Sequence, residues 1–353
     1  MRKLNHYIGT TVSAAILLVL LVIIGLNTIA GIVDEMGNLK ANYDFLAALQ
    51  YVLLSIPGSL YEYLPFAALV GSLAGLGLLA GNSELIVIRS AGVSTGRVVW
   101  MVMRPALLIM AVGFAISEYV APHTESIAKS QRAIALRESE NVVSRGGLWH
   151  REGDVFMHFN AVQPNGVLYG VTLYEFDGQQ RLQKTSFAQR ATYQNDHWLL
   201  EDLSESYFQS EQISQKIFSS KIWRTELSPK LLNILVLDPL DLSVQGLWQY
   251  SSYLDGQGLN NGPYMLAFWK KVLQPLSTIT LVLVAISFVF GPLREVTMGF
   301  RIFTGVLLGI VFRTAQDMLG PASLVYGFAP IYASLIPIVI CAVAGVYLLR
   351  KAR

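Results

Sequence analysis

The sequence predicts an α-helical membrane protein with six transmembrane helices, three on each side of an inserted all-β domain. Three observations predict it. First, 53% of the 353 residues are hydrophobic and only 14% are charged, against about 25% charged in an average soluble domain; the mean hydropathy is +0.46. Second, the apolar residues gather into runs of the length a helix needs to cross a bilayer, about 20 residues. Third, the stretch from about Pro122 to Gly262 breaks that pattern, being polar, charged and punctuated by Gly, Asn and Asp. The expected parts are therefore residues 1–121 with three spans, 122–262 as the inserted domain with flanking helices, and 263–353 with three more spans. A net charge of +2 is too small to call for nucleic acid or an acidic partner. The one cysteine, Cys341, excludes an internal disulfide.

In chain order, Met1-Arg2-Lys3 precedes an uncharged run from Tyr7 to Val33. That run is too long for a signal-peptide core of about 7–15 residues and suits an uncleaved span, within which Asn27 predicts a helix–helix hydrogen bond. Asp34, Glu35, Lys40 and Asp44 mark the loop after it. The next run, Phe45 to Ala80, is too long for one upright span and is interrupted by Pro57, Glu62 and Pro65. It reads as an interface-lying part followed by a span from about Leu60, in which Gly71, Gly75, Gly77 and Gly81 allow close packing on a neighbour.

Residues 83–92 read as a short amphipathic helix between two spans. Ser83 is the candidate cap, Leu85 and Ile88 fall at i, i+3 with Glu84 and Arg89 beside them, and Gly92 supplies the stop. The plainer reading of the same residues is an interfacial turn. Gly92-Val93-Ser94-Thr95-Gly96 matches the Gly-x-Ser-x-Gly nucleophile pattern, but no strand precedes it and no histidine is near, so the match carries no catalysis. The third span runs from about Val98 to Ala121, with Arg104 placed to snorkel. Helical character continues through Thr124–Arg137, where Lys129 and Arg132 share a face. Lys129 stands roughly 12 Å beyond Ala121, about headgroup height. A solvated basic face is the plainer reading there.

The inserted domain reads as antiparallel strands at Val155–Val162, Val167–Phe176, Arg181–Tyr193, His197–Phe208 and Ile213–Glu226, joined by turns at Pro164-Asn165-Gly166, Asp177-Gly178 and Asn195-Asp196. Short strands with tight turns fit a sandwich or jelly roll. His123, His150, His158 and His197 lack metal-ligand spacing. A helix at Leu240–Tyr253 leads to spans at about Tyr264–Phe290, Phe300–Leu319 and Pro330–Leu349. Arg313 and Asp317, at i, i+4, are expected to neutralise each other, and Gly320-Pro321 and Gly327 to frame a loop. The positive residues fix the orientation. Arg2, Lys3, Arg89, Arg97, Arg294, Arg301, Arg350, Lys351 and Arg353 fall on one side and Lys40 on the other, which puts both termini inside and the inserted domain outside.

No Gly-x-x-x-x-Gly-Lys-Ser/Thr occurs, so no P-loop binds ATP on this chain, yet the helix at 83–92 offers a grip to a motor. The chain resembles the LptF/LptG family of lipopolysaccharide export permeases. The stretches that carry the resemblance are Gly81-Asn82-Ser83-Glu84-Leu85-Ile86-Val87, Tyr119-Val120-Ala121-Pro122, Gly147-Leu148-Trp149, Gln274-Pro275-Leu276-Ser277, Phe290-Gly291-Pro292-Leu293-Arg294 and Leu324-Val325-Tyr326-Gly327. The resemblance implies a multi-pass inner-membrane permease subunit of an ABC transporter in a Gram-negative bacterium, not an enzyme, with a periplasmic jelly-roll-like domain. It implies an LptF-like sister permease, an LptB-like ATPase dimer that uses the ATP, an LptC-like single-span protein with a β-jelly-roll, and lipopolysaccharide as cargo. This chain itself is expected to bind no cofactor. By the same resemblance, Glu84, Leu85, Ile88 and Arg89 belong to an ATPase-coupling helix, and Lys129 and Arg132 match positions that contact lipid A phosphates. Relatives can carry lysines at the outer end of the first span, where Gly31, Asp34 and Glu35 stand here; Lys40 is the residue left to substitute. The competing readings are a membrane-anchored lipid-modifying enzyme, for which no convergent acid, base or nucleophile is found, and an assembly scaffold.

Overall fold

The computed structural model describes residues 2–40, 42–138, 148–163, 166–194, 196–209, 212–225, 227–229, 231–232, 237–256, 259–291 and 296–351. The expected turn residues Pro164, Asn165 and Asn195, the strand end Glu226, Gly147, and the charges Arg294 and Arg353 lie outside the described residues. The chain forms two compact units, one of residues 1–30, 56–122 and 239–353, the other of residues 31–55 and 123–238.

The first unit holds helices long and apolar enough to cross a membrane, six in the described chain. Helix α1 is Arg2–Met36, α2 is Phe45–Leu54, α3 is Ile56–Gly81, α4 is Glu84–Ser90, α5 is Thr95–Ala115 and α6 is Ala121–Glu138; after the β insert come α7 at Val244–Gly256, α8 at Gly262–Phe290, α9 at Met298–Tyr326 and α10 at Pro330–Lys351. Packing centres on α3, with 72% of its apolar window buried against 11% for α1. Small residues explain it. A Cβ on Gly71 would meet the Ile16 Cα of α1 at 2.5 Å, and Gly113, Gly305 and Gly309 of α5 and α9 sit directly against Leu64, Leu73 and Phe66 of α3. Where lipid gives helices no hydrophobic reason to associate, such close approach supplies the dispersion that holds them. Asn27 makes the expected interhelical bonds: its Nδ2 donates to Ser59 Oγ at 3.2 Å, and Tyr63 Oη donates to its Oδ1 at 3.1 Å.

Two expectations about local structure are corrected. Ser83 stands at the α4 N-cap position, but its backbone is left-handed, with φ 62°, and its side chain makes no capping bond. Its carbonyl accepts from Ile86 and Val87 instead. The loop expected at Gly320-Pro321 is helix: α9 runs through both to Tyr326, and Gly327 ends it at φ +73°. Pro321 has no amide hydrogen for the carbonyl four residues back, yet the helix passes through it, and Ser323 Oγ donates to the Gly320 carbonyl at 2.6 Å.

Helices α5 and α6 are joined through a π-helical turn, Ile116–Val120. Its wide turn leaves carbonyls to be satisfied from outside. Buried Lys271 of α8 donates to Ser117 O at 3.4 Å and to Leu242 O at 2.5 Å. Glu118, from the same turn, accepts from the Val244 and Gln245 amides at 2.7 and 3.2 Å, so a remote carboxylate serves as the N-terminal cap of α7.

The second unit holds α2, most of α6 and a six-stranded antiparallel sheet in sequence order, with β1 Leu148–Glu152, β2 Val155–Gln163, β3 Val167–Phe176, β4 Leu182–Gln194, β5 His197–Gln209 and β6 Gln212–Trp223. Its core gathers Met157, Phe159, Leu173, Leu200, Leu203 and the fully buried Trp198, whose indole donates to Leu227 O at 2.7 Å. Strict alternation does not describe these strands. Met157 and Phe159 face the core on β2, but so does Val162; Val171 and Leu173 on β3, but also Leu168; Ala188 on β4, but also Ala191; Leu203 on β5, but also Leu200. The pairing skips one row from β2 to β6, namely Asn160, Gly170, Gln189, Asp202 and Ser219. Gly170 and Asp202 take positive φ there, +58° and +51°. Strands β2 to β5 change the face they bury at that row.

Candidate functional site

Two groups of the expected residues can be placed, one in each unit. In the first unit, α4 puts Leu85 and Ile88 inward, buried in the cluster that also contains Leu79, Val93, Val289 and Phe290. They anchor the helix and are not on its outer face. That face carries Ile86 and Val87, 55% and 64% exposed. Glu84 opens the helix, where a carboxylate suits the dipole. It accepts from Asn82 Nδ2 at 3.3 Å. Arg89 lies over the Phe290 ring, 5.8 Å from its centroid. The result is an outward apolar pair flanked by one acidic and one basic residue, rigidly backed by α8. Sequence reasoning missed Ile86 and Val87; the signal was there, since Leu85 and Ile88 at i, i+3 already claim the inner face and leave the intervening positions outside.

In the second unit, Lys129 and Arg132 project from α6, and each meets a carboxylate of the same unit. Lys129 Nζ is hydrogen-bonded to Asp238. Arg132 Nε donates to Glu35 Oε1 and Oε2 at 3.2 and 3.1 Å, and its guanidinium covers the Tyr51 ring of α2 at 5.4 Å. Glu35 also accepts from Tyr43 Oη at 2.9 Å; burial and that bond push the Tyr43 phenol well up. Tyr43 is seated by a tight turn in which its amide and carbonyl exchange hydrogen bonds with those of Lys40, at 3.1 and 3.0 Å. Lys40, exposed, thus rides on the turn that positions the partner of Arg132's partner. Ser55 Oγ donates to buried Glu125 of α6 at 3.2 Å. Asp44 caps α2 by accepting from the Ala47 amide. The arrangement brings Lys40, Arg132, Glu35 and Tyr43 together and adds Asp238 to Lys129. Glu35 had a signal: a carboxylate in the last turn of a helix opposes the dipole and asks for a cation.

A third cluster lies within the spans. Arg313 and Asp317 pair as expected, at 3.6 Å, but Arg313 also pairs with Glu62 of α3 and lies over Tyr63, while Asp317 takes Lys270 of α8 at 3.2 Å. The i, i+4 pair is one part of a chain of four charges across three helices.

Comparison with known proteins agrees with this architecture. The model of the family described as "Lipopolysaccharide export system permease LptF/LptG" matches residues 6–351. The chain is 38% identical to the lipopolysaccharide export system permease protein LptG of Escherichia coli K12 over 338 residues, 95% of this chain and 94% of that protein. It is 35% identical to the protein of the same name from Haemophilus influenzae over 353 residues, 99% of each.

Proposed function

The chain belongs to the LptF/LptG family of lipopolysaccharide export permeases, and from that premise we propose that it is the subunit through which a separate ATPase drives lipopolysaccharide out of the inner membrane toward a periplasmic bridge. The family and the apolar helices make it a multi-pass inner-membrane permease of lipopolysaccharide transport. Both termini and α4 lie in the cytoplasm and the β unit in the periplasm, as the distribution of Lys and Arg favours. An LptF-like sister, an LptB-like ATPase dimer and an LptC-like single-span protein complete the assembly. ATP is bound and hydrolysed by the ATPase, and this chain works as the lever.

The observation that carries the reading is the outer face of α4. Two exposed branched side chains, Ile86 and Val87, beside Glu84 at a helix start are what a groove on a partner would clasp, with apolar knobs for area and a carboxylate for register. Leu85 and Ile88, locked among α3 and α8 residues, would pass any displacement of the helix into the spans. Lys129 and Arg132 then receive the lipid A phosphates by exchange. The phosphate replaces Asp238 and Glu35 as the anion, so no cation is left bare and none must be newly desolvated. Swapping one charge-assisted bond for another keeps binding reversible, as a hand-off requires.

Glu84→Lys tests the lever. A lost helix-dipole contact costs only about 0.3–1 kcal/mol, whereas a charge-assisted bond to a basic residue of the ATPase is worth about 1.5–3 kcal/mol, or roughly 10- to 150-fold. The expected outcome is export failure and loss of ATPase copurification with both units still folded, partly restored by an Arg→Glu change in the ATPase groove. Normal export by Glu84→Lys would remove Glu84 from the mechanism.

A further inference from the structure

The export reading leaves one cleft unused. It lies at the N-terminal ends of α1 and α5 and has a volume of about 850 Å³. Its mouth is polar, with His6 and Thr10 from α1 and Arg97 and Arg104 from α5; farther along both helices the walls are Leu17 and Leu108. Arg97 and Arg104 are seven residues apart on one helix, so they share a face about 10 Å apart along the axis. Both are exposed. Among the described residues neither has a carboxylate within salt-bridge distance, and no carboxylate lines the cleft. Arg104's aromatic neighbour is the exposed Trp100 ring, 5.1 Å from its guanidinium.

The depth of Arg104 makes this informative. It lies nine residues into α5, about 14 Å along the helix axis, where an ionised side chain is unfavourable unless it meets a counter-charge. The two arginines of α9 meet one or find a carbonyl. Arg313 has Glu62 and Asp317, and Arg301 donates to Gly77 O at 2.8 Å. Among the described residues Arg104 meets neither, so its anion comes from outside the chain. A cleft with two cations at its mouth and an apolar slot beyond them matches an amphiphile with one anionic head and long hydrocarbon tails.

We propose that the cleft between α1 and α5, with Arg97 and Arg104 at its mouth and Leu17 and Leu108 along its depth, holds an anionic phospholipid of the cytoplasmic leaflet, its phosphate between the two guanidiniums. The choice of leaflet rests on the orientation proposed above; the binding does not. Trp100, on the cleft wall, packs beside the head of the bound lipid and reports its presence.

The test uses the full-length protein in symmetric bilayers, which makes it blind to orientation. Ser94→Cys accessibility to an impermeant thiol reagent, in the Cys341→Ser background, tests orientation separately. The protein is reconstituted into phosphatidylcholine carrying an equal small fraction of either acyl-brominated phosphatidylglycerol or acyl-brominated phosphatidylcholine, and the Trp100 signal is taken as the difference from Trp100→Phe. Phosphatidylglycerol should quench it with a preference of roughly 5- to 25-fold in apparent affinity, the range expected for one to two basic residues at an anionic head. Arg97→Gln/Arg104→Gln should abolish the preference, and Arg97→Lys/Arg104→Lys, which keeps the charge, should retain most of it and so excludes misfolding as the cause. Inorganic phosphate should not compete. Equal quenching by the two lipids overturns the proposal, as does a preference surviving in the double Gln variant. Displacement by phosphate alone would make it a free-anion site, and shielding of Trp100 from both lipids would mean that a protein segment fills the cleft; either result overturns it.

Discussion

The helical unit and the β unit expose large apolar side chains to the same degree for opposite reasons. Leu21 of α1 is 70% exposed and Ile217 of β6 is 79% exposed. On α1 such residues run the length of the helix, and hydrocarbon is their solvent. On β6 they stand on a sheet edge, where a row of unpaired amides and carbonyls invites another strand. Exposure therefore means nothing until the surrounding medium is specified. The units also differ in how they treat charge. The helical unit chains Lys270, Asp317, Arg313 and Glu62 across three helices. The sheet of the β unit sinks Glu205 into its core side and surrounds it: Lys221 Nζ donates at 2.8 and 3.0 Å, Tyr207 Oη at 2.8 Å, and Lys184 stands at 3.8 Å.

The largest way to separate the units is Trp198→Ala. It deletes a fully buried indole and its bond to Leu227, at a cost of about 3–5 kcal/mol. The β unit should become protease-sensitive while the spans stay membrane-integrated; concerted loss of both would contradict independent cores. Next comes Leu21→Lys, which sets a charge near the middle of α1 and should cost about 2.5–3.5 kcal/mol of insertion free energy, read as a reduced inserted fraction by cysteine accessibility.

Acidification should weaken the β unit at two stages. Burial pushes the His150 and His158 imidazoles below their ordinary value of 6.5. The folded state thus prefers them neutral, and stability is full above that value and falls as the unfolded chain takes up protons below it. Burial pushes Glu205 up, but the bonds from Lys221 and Tyr207 and the charge of Lys184 outweigh it and hold the carboxyl below its ordinary 4.5. Its contribution is present above that value and is lost as pH falls through the folded one. Thermal unfolding followed by fluorescence from pH 7.5 to pH 4 should show Tm falling in both windows, and Glu205→Gln should flatten the lower one. The smallest effect sharpens the opening contrast: Ile217→Lys should change stability by less than about 0.5 kcal/mol. A larger drop in the melting curve would mean that β6 is covered.

Much of this was legible in the sequence, for physical reasons. The spans announce themselves because a bilayer sets their length, and β2 to β6 because their apolar residues recur between turn signals. The edge strand β1 was missed: Leu148–Glu152 is short and polar, and its one buried residue is His150. The pairs that define the cation site were not legible either, because Arg132 and Glu35 are 97 positions apart and Lys129 and Asp238 are 109. A cation on a helix face declares its need for an anion but not which one the fold delivers. On α4 the spacing of Leu85 and Ile88 marked one face, and the packing shows which residues that face meets, among them Val289 and Phe290 more than 200 positions away.

The row at Asn160, Gly170, Gln189, Asp202 and Ser219 has one more consequence. In a sheet of uniform alternation, a strand that slides by one residue exposes its whole buried set, but a slide by two restores it, so even slips go unpunished. Here β2 to β5 each carry a change of face, and these neighbouring strands bury a common core only if the changes coincide. A slide by two would misplace the residues between the offset marks, turning a Leu168 or Ala191 outward. The row works as an indexing notch: it distinguishes this alignment from its even neighbours.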